Sequence, residues 1–254
     1  VDTSGISQTF RAAAARLAAS GEDPRSQQLA ENLASVHERV DRAMAAADRR
    51  DRPTLIVVTK HFPAPDVQRL HRLGVRDVGE NRDQEAAGKA AEVQEALRWH
   101  FIGQLQSNKA RSVLRYADHL HSVDRPSLLK ALIKALPSPP EKPLTCLIQV
   151  DLRDPMPADG RGGAAPEDIE RLAESIEAAA GLRLGGLMAV APLGEPAGPA
   201  FERLQQLSAQ LRHSFPHADM ISAGMSGDLE EAVAHGATHL RVGRDVLGER
   251  PLQR

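Results

Sequence analysis

From residue 54 onward the chain repeats one alternation. Short runs rich in apolar and β-branched residues are each followed by a longer segment with apolar positions three and four apart. The runs fall at 54–59, 76–79, 98–102, 118–123, 144–150, 184–190, 219–222 and 238–242. Runs of that length bounded by turn residues read as strands buried on both faces. The segments between them, 65–73, 81–96, 106–116, 126–136, 167–180, 197–213 and 227–235, read as helices. Pro166, Glu167 and Asp168 open the segment at 167, while Gly74 and Gly236 stand where helices end. Proline and acids suit a helix's first turn, and glycine its C-terminal cap. Ahead of the first strand, the alanine-rich stretch 6–19 and the segment 28–49 predict two more helices, split by "GEDPRSQ". Leu29, Leu33, Val36, Val40 and Met44 give the second of these one apolar face.

Eight strands alternating with helices predict the α/β class and a parallel sheet. The expected architecture is a single (β/α)8 TIM-like barrel, which takes about 250 residues; the chain has 254. The competing architecture is a doubly wound open sheet. That fold usually carries a glycine-rich turn after its first strand, and here the position reads "TKHFPA". Residues 1–25 are taken as an N-terminal extension carrying an extra helix, and 26–254 as the barrel domain. The irregular stretches 153–168 ("RDPMPADGRGGAAPED") and 191–196 ("APLGEP") are expected to border one barrel mouth.

Composition removes several classes of function. A net charge of −2 leaves no basic footprint for nucleic acid or an anionic membrane. The one cysteine, Cys146, allows neither an intramolecular disulfide nor a Cys-based zinc site, and points to a reducing compartment. No run is long and apolar enough to span a bilayer. The opening "VDTSGISQTFRAAAARLAAS" lacks the basic start and apolar core of a signal peptide, so the cytoplasm is expected. The ten histidines include no H-E-x-x-H or comparable ligand spacing, and no metal is expected. The basic clusters "SNKAR" and "RRDR" read as solvated helix faces. Aromatic residues are only 3%, which offers no aromatic-rich interface, and a monomer is expected.

Candidate chemistry sits where the strands end, because barrel active sites form at the C-terminal face. Those ends carry Lys60, Glu80–Asn81, Gly103–Gln104, Asp124, Asp151, Ala191, Ser222 to Ser226, and Gly243–Arg244. "ISAGMSGDLEEA" (221–232) and "LRVGRDVLGER" (240–250) both run from a strand through glycine into a helical start. Loops after the last two strands are the usual phosphate cradle of this barrel, and Ser226 is read as the N-cap of the helix that follows. Ser226 and Gly243 alternatively serve as an ordinary cap and an ordinary tight turn. Lys60 follows the apolar run of "PTLIVVTK" directly. It is either a solvated strand end or an amine held at a site mouth. A lysine amine must lose its proton to form an imine, which burial or a nearby cation assists. Arg241, two residues before Gly243, is placed to point inward as that cation. A phosphate cradle, a strand-end lysine and an inward arginine together suggest a phosphorylated aldehyde, of which pyridoxal phosphate is the common cofactor.

At these residues the sequence resembles the pyridoxal phosphate homeostasis proteins (the YggS/PROSC family), relatives of the N-terminal barrel of alanine racemase. The resemblance runs over roughly residues 28–251. It rests on "VVTKHFPAPDVQRLHRLGVRDVGENRDQE", "WHFIGQLQSNKAR", "LGGLMA", "SAGMSGDLEEAVAHGATHLRVG" and "LGER". It implies a fold-type III site that binds pyridoxal 5'-phosphate, with Lys60 carrying the cofactor as an internal aldimine and Asn81 close to it. It implies that Ser226 and the backbone at Gly243–Arg244 hold the phosphate, with Ser222 nearby, and that Arg241 faces the ring nitrogen. An arginine cannot hand a proton to that nitrogen, so the ring is a weak electron sink. Two positions depart from the family pattern: Arg82 stands where tyrosine is common, and Arg244 where a small hydroxyl residue is usual.

Alanine racemase uses a second base, a tyrosine from a β-domain of the partner subunit. The one tyrosine here, Tyr116, is expected outside the barrel or at its N-terminal rim, and with about ten residues after the eighth strand no β-domain is expected. His100 and Cys146 are the substitutes to weigh, and both are expected to fill strand positions. The expected function is therefore a carrier: a pyridoxal phosphate homeostasis protein with no catalytic residue, supplying apoenzymes or exchanging with B6 salvage enzymes. The alternatives are a low-activity racemase or related amino-acid enzyme, and a sugar-phosphate barrel in which Lys60 forms an imine with substrate. Lys109 is a further candidate near the mouth.

Overall fold

The computed structural model describes residues 4–21, 23–137, 142–153 and 162–249. Eight parallel strands follow one another around a closed barrel. They are β1 (Thr54–Val58), β2 (Asp77–Glu80), β3 (Arg98–Phe101), β4 (His119–Val123), β5 (Leu144–Gln149), β6 (Leu182–Met188), β7 (Met220–Ser222) and β8 (His239–Val242). Helices α1 (Ser4–Ser20) and α2 (Pro24–Ala46) precede them. The crossovers are α3 (Ala64–Arg72), α4 (Asp83–Glu92), α5 (Ala110–Val113), α6 (Pro126–Ala135), α7 (Ile169–Glu177), α8 (Ala197–Ser214) and α9 (Leu229–Ala234), and α10 (Arg244–Leu247) follows β8. The α/β barrel expected from the strand–helix alternation is the one found.

Closure sets the position of everything functional. β1 pairs with β8, with Thr54 opposite His239, Ile56 opposite Arg241 and Val57 opposite Val242. The ends of β1 and β8, carrying Lys60 and Gly243, are therefore neighbours in space although far apart in sequence.

Each predicted strand lies within two residues of an observed one. β6 starts earlier than predicted because Leu182 pairs with Leu144 of β5, and it stops at Met188, before the exposed Val190. Several helices are shorter than their pattern, among them α4, α5, α7 and α9. The segment 106–116 gives a 3-10 turn at Ser107–Lys109 and then only the four residues of α5. Ala110 and Val113 are its buried apolar positions, enough to seat a single turn. α4 stops at Glu92 because buried, β-branched Val93 leaves the helix in an extended conformation (φ −90°, ψ 107°). Pro166 opens a 3-10 turn, Pro166–Asp168, that leads into α7. Gly74 and Gly236 follow α3 and α9 with φ of 102° and 81°, the left-handed form that glycine takes without strain. The expectation for the stretch 153–168 lies mainly on residues 154–161, outside the described residues.

The helix ahead of the barrel is an integral part of it. In α2, Leu29, Leu33, Val36, Val40 and Met44 are buried, as the spacing predicts. Asp23 caps it, accepting from the Ser26 N–H at 3.2 Å and the Ser26 hydroxyl at 2.7 Å, with Pro24 at the first helical position. The boundary drawn at residues 25/26 falls inside this first turn. α1 packs on α2 through Phe10, stacked on His37 at 5.1 Å, and through the Arg11–Glu38 ion pair.

The barrel interior departs from the branched aliphatic filling common to the fold. Asp77, His100, His121, Ser222 and Arg241 are all buried there.

Candidate cofactor site

A cavity of about 590 Å3 opens at the C-terminal ends of β1, β7 and β8. Lys60, Phe62, Ser226, Arg241, Gly243 and Arg244 are among its lining residues. Lys60 stands two residues past β1, Ser226 in the turn after β7, and Gly243–Arg244 at the junction of β8 with α10. Gly243 lies tight against β1: a Cβ there would sit 3.2 Å from the Val58 carbonyl oxygen. Gly224, with φ 87°, lets β7 turn off the barrel, and a Cβ on it would meet the Ala232 methyl at 2.6 Å.

Two of the candidate residues lie elsewhere. Asn81 lines the adjoining hollow of about 780 Å3, together with Arg82, Asp83, Gln104, Lys109 and Arg125. Its Oδ1 is buried with no hydrogen-bond partner. Ser222 is fully buried beneath the cavity, where its Oγ accepts from Arg241 Nη1 at 2.7 Å. One expectation is corrected. Ser226 does not cap α9; Asp228 occupies the N-cap position. The Asp228 carboxylate accepts the Met225 N–H at 2.6 Å, which closes a turn and delays the helix by two residues.

Arg241 is positioned from below. Its Nη2 donates to the Ala189 carbonyl at 2.9 Å, and burial pushes its pKa down to about 10. From Ser222 a chain of contacts crosses the barrel: Ser222 Oγ to His121 Nδ1 at 2.9 Å, His121 Nε2 to His100 Nδ1 at 2.9 Å, and His100 Nε2 to Asp77 Oδ1 at 3.0 Å. Arg98 grips Asp77 from outside with two bonds of 2.7 and 2.6 Å. Burial alone would raise the Asp77 pKa, but its bonds from His100 and Arg98 hold it at about 2, so it is a carboxylate and accepts. Arginine only donates. The two ends of the chain are therefore fixed, with Arg241 donating to Ser222 and Asp77 accepting from His100. Burial and the neighbouring His100 and Arg241 keep His121 well below the ordinary histidine range.

A second network underlies Lys60. Lys89 is buried and donates to the Thr59 carbonyl at 2.8 Å, to Glu80 at 2.7 Å and to Glu85 at 2.7 Å. A third joins the loops after β7 and β8 to α2. Arg39 reaches the Ser226 carbonyl at 3.0 Å, Glu230 at 2.8 Å and Asp245 at 2.5 Å, while Asn32 donates to the Val246 carbonyl at 2.8 Å.

The alternative bases lie away from this cavity. The Tyr116 hydroxyl donates to Asp83 at the start of α4 over 3.3 Å. His100 belongs to the chain beneath Arg241, and Cys146 is fully buried in β5 with its thiol pushed up to about 12. Sequence reading missed Asp77, His121, Lys89, Glu85 and Arg39, along with His61 and Met225 of the lining. The one available signal was the polar alternation of "RWHF" and "HLHSV" in otherwise apolar strands.

Comparison with known proteins identifies the family and the fold. The sequence profile of the alanine racemase N-terminal domain matches residues 28–251. The pyridoxal phosphate homeostasis protein of Mycobacterium tuberculosis is 39% identical over 246 residues, covering 90% of this chain and 95% of the relative. That of Pseudomonas aeruginosa is 40% identical over 227 residues, covering 87% and 96%. The structure of PipY from Synechococcus elongatus with pyridoxal phosphate bound superposes with a TM-score of 0.74 at 32% identity, covering 87% of this chain and all of that one. The chain belongs to the pyridoxal phosphate homeostasis protein family, built on the barrel that alanine racemase uses as its N-terminal domain.

Proposed function

We propose that this protein binds pyridoxal 5'-phosphate and contributes to its homeostasis as a monomeric cytoplasmic carrier rather than as an enzyme. The observation that carries the reading is the shared cavity. A lysine from the first strand and the loops after the last two face one space of about 590 Å3. The lining suits a small phosphorylated aldehyde: an amine, a buried guanidinium held by Ser222 and the Ala189 carbonyl, and two glycine-containing turns. PipY, which binds this cofactor, shares the fold and 32% of its residues.

In this reading Lys60 attaches the cofactor covalently. Ser226 and the backbone at Gly243–Arg244 hold its phosphate, and the Arg244 side chain adds a cation where the family usually has a hydroxyl. Arg241, held in place by Ser222 and the Ala189 carbonyl, would face the ring nitrogen, and a guanidinium does not give up its proton to such a base. Asn81 and Ser222 support the site from beside and below. When bound, the cofactor supplies an aldehyde that condenses with amines, which suits reversible storage and delivery to apoenzymes or exchange with salvage enzymes. Among the described residues no tyrosine lines the cavity, and Tyr116 is engaged with Asp83. General acid–base work needs a group within hydrogen-bond reach of the moving proton. His61 and Glu249 also line the cavity, and they are the residues a weak racemase activity would recruit.

The test is a visible spectrum of the protein mixed with pyridoxal phosphate, followed by borohydride reduction and mapping of the modified lysine. A visible band and a label on Lys60 are expected. No band, or a label elsewhere, overturns the assignment, and turnover of D- or L-alanine would move the protein among the enzymes.

A further inference from the structure

The turn that presents Lys60 is held in a conformation its sequence does not favour. The Phe62 N–H donates to the Thr59 carbonyl at 3.0 Å, closing a four-residue turn with Lys60 and His61 at its centre. His61 has φ 70°, one of two non-glycine residues with positive φ among the described residues. The third residue of such a turn is usually glycine, because a side chain crowds the backbone there. A bulky residue held in this region signals a surrounding structure that enforces it, often at a functional site.

The enforcing contacts come from α4. The His61 N–H donates to Glu85 Oε1 at 2.6 Å. The same oxygen accepts from Lys89 Nζ at 2.7 Å, and Lys89 also holds the Thr59 carbonyl at 2.8 Å. The Thr59 hydroxyl donates to Glu80 Oε1 at 2.6 Å, and Lys89 donates to that oxygen too. The residues on both sides of Lys60 are therefore tied to one buried ammonium. Burial alone would raise the Glu85 carboxyl, but Lys89 and the His61 N–H hold it below the usual range, so it is the anion these bonds need.

We propose that Glu85 and Lys89 are positioning residues that clamp the Thr59–Phe62 turn and so aim the Lys60 amine into the cavity. The inference rests on the proposed attachment of the cofactor to Lys60. Its physical content is preorganisation: an amine on a loose turn samples many directions, and a misplacement of about 1 Å can slow a reaction by about a hundredfold. Glu85 is the more informative position to change, since Lys89 keeps its bond to Glu80 when Glu85 is shortened.

The experiment is a double-mutant cycle on the cofactor-free protein, read as the rate constant for capture of pyridoxal phosphate by stopped-flow absorbance. Glu85→Ala is expected to slow capture by about tenfold, and Glu85→Gln, which keeps an acceptor for the His61 N–H but loses the charge facing Lys89, by less. In a His61→Gly background the turn forms without enforcement, so the penalty of Glu85→Ala should fall to less than about threefold. Inorganic phosphate affinity, read by competition, should be the same in all four proteins, because the cradle is untouched. Should Glu85→Ala fail to fold, Glu85→Asp, which withdraws the carboxylate by one methylene, takes its place in the cycle. An equal penalty in both backgrounds, or no penalty in the parent, overturns the clamp. A parent protein that captures no cofactor overturns the proposed function instead.

Discussion

The most exacting demand on a single residue falls on Ser222. Its one oxygen accepts from the Arg241 guanidinium at 2.7 Å and lies 2.9 Å from His121. Removing it strands a buried cation's donor and a buried imidazole nitrogen at once. Ser222→Ala should lower unfolding free energy in urea by about 1–3 kcal/mol, the cost of leaving buried polar groups unpaired. A change below about 0.5 kcal/mol, the scatter of an ordinary surface substitution, would mean that the chain carries no load. At this scale the sequence was legible where chemistry is local. Lys60, Ser226, Gly243 and Arg244 follow their strands directly, so position on a strand end was enough to gather them. Asp77, His100 and His121 were not, because their link depends on three strands meeting in register. Nothing in "RDVGE" says that its aspartate faces a histidine 23 residues on.

Among the elements, α2 has the least expected role. It precedes the repeat, yet Arg39 from its outer turns joins the Ser226 turn to α10, the two halves of the proposed anion cradle. Bonds from Glu230, whose carboxylate is the larger influence, and from Asp245 raise the Arg39 pKa, so it stays charged. Arg39→Ala should weaken inorganic phosphate binding by about tenfold, or ~1.4 kcal/mol, as measured by calorimetry. Equal affinity in the variant would show that each loop holds its own shape. The amphipathic spacing of α2 was readable, and its buried face is the one predicted. Its polar contacts were not, since a solvated arginine and a clamping one have the same place on a helical wheel. The lengths of α4, α5 and α9 were misjudged for a related reason. Periodicity reports the apolar face a helix has on offer, while the ends depend on single events such as the Asp228 turn or the inward Val93.

For the whole molecule, three partly buried histidines dictate a pH dependence. His119 and His239 are driven mainly by burial from the ordinary 6.5 to about 3 and about 4, and His37 to about 4. Between pH 6.5 and about 4 the unfolded chain binds these protons and the folded one does not. Stability is therefore complete above pH 6.5 and falls as the pH drops, by up to about 1.4 kcal/mol per pH unit for each histidine. Asp77, held at about 2, adds its own loss only once the pH falls below the ordinary carboxylate value of 3.8. Urea midpoints measured from pH 8 to 4 should thus begin to fall near 6.5, and a flat profile to pH 4.5 would contradict the neutral state of these half-buried rings. The barrel itself was the most legible property of all, because eight repeats of one pattern outweigh an error in any one of them. The polar interior was hidden by the same repetition, which makes every strand look like filler.

Closure of β1 against β8 has a consequence for biosynthesis. The turn bearing Lys60 leaves the ribosome well before the turns proposed to hold the anion, which follow β7 and β8. If those turns hold the phosphate as proposed, a nascent polypeptide that has not yet reached β8 carries the amine without a complete seat for the cofactor.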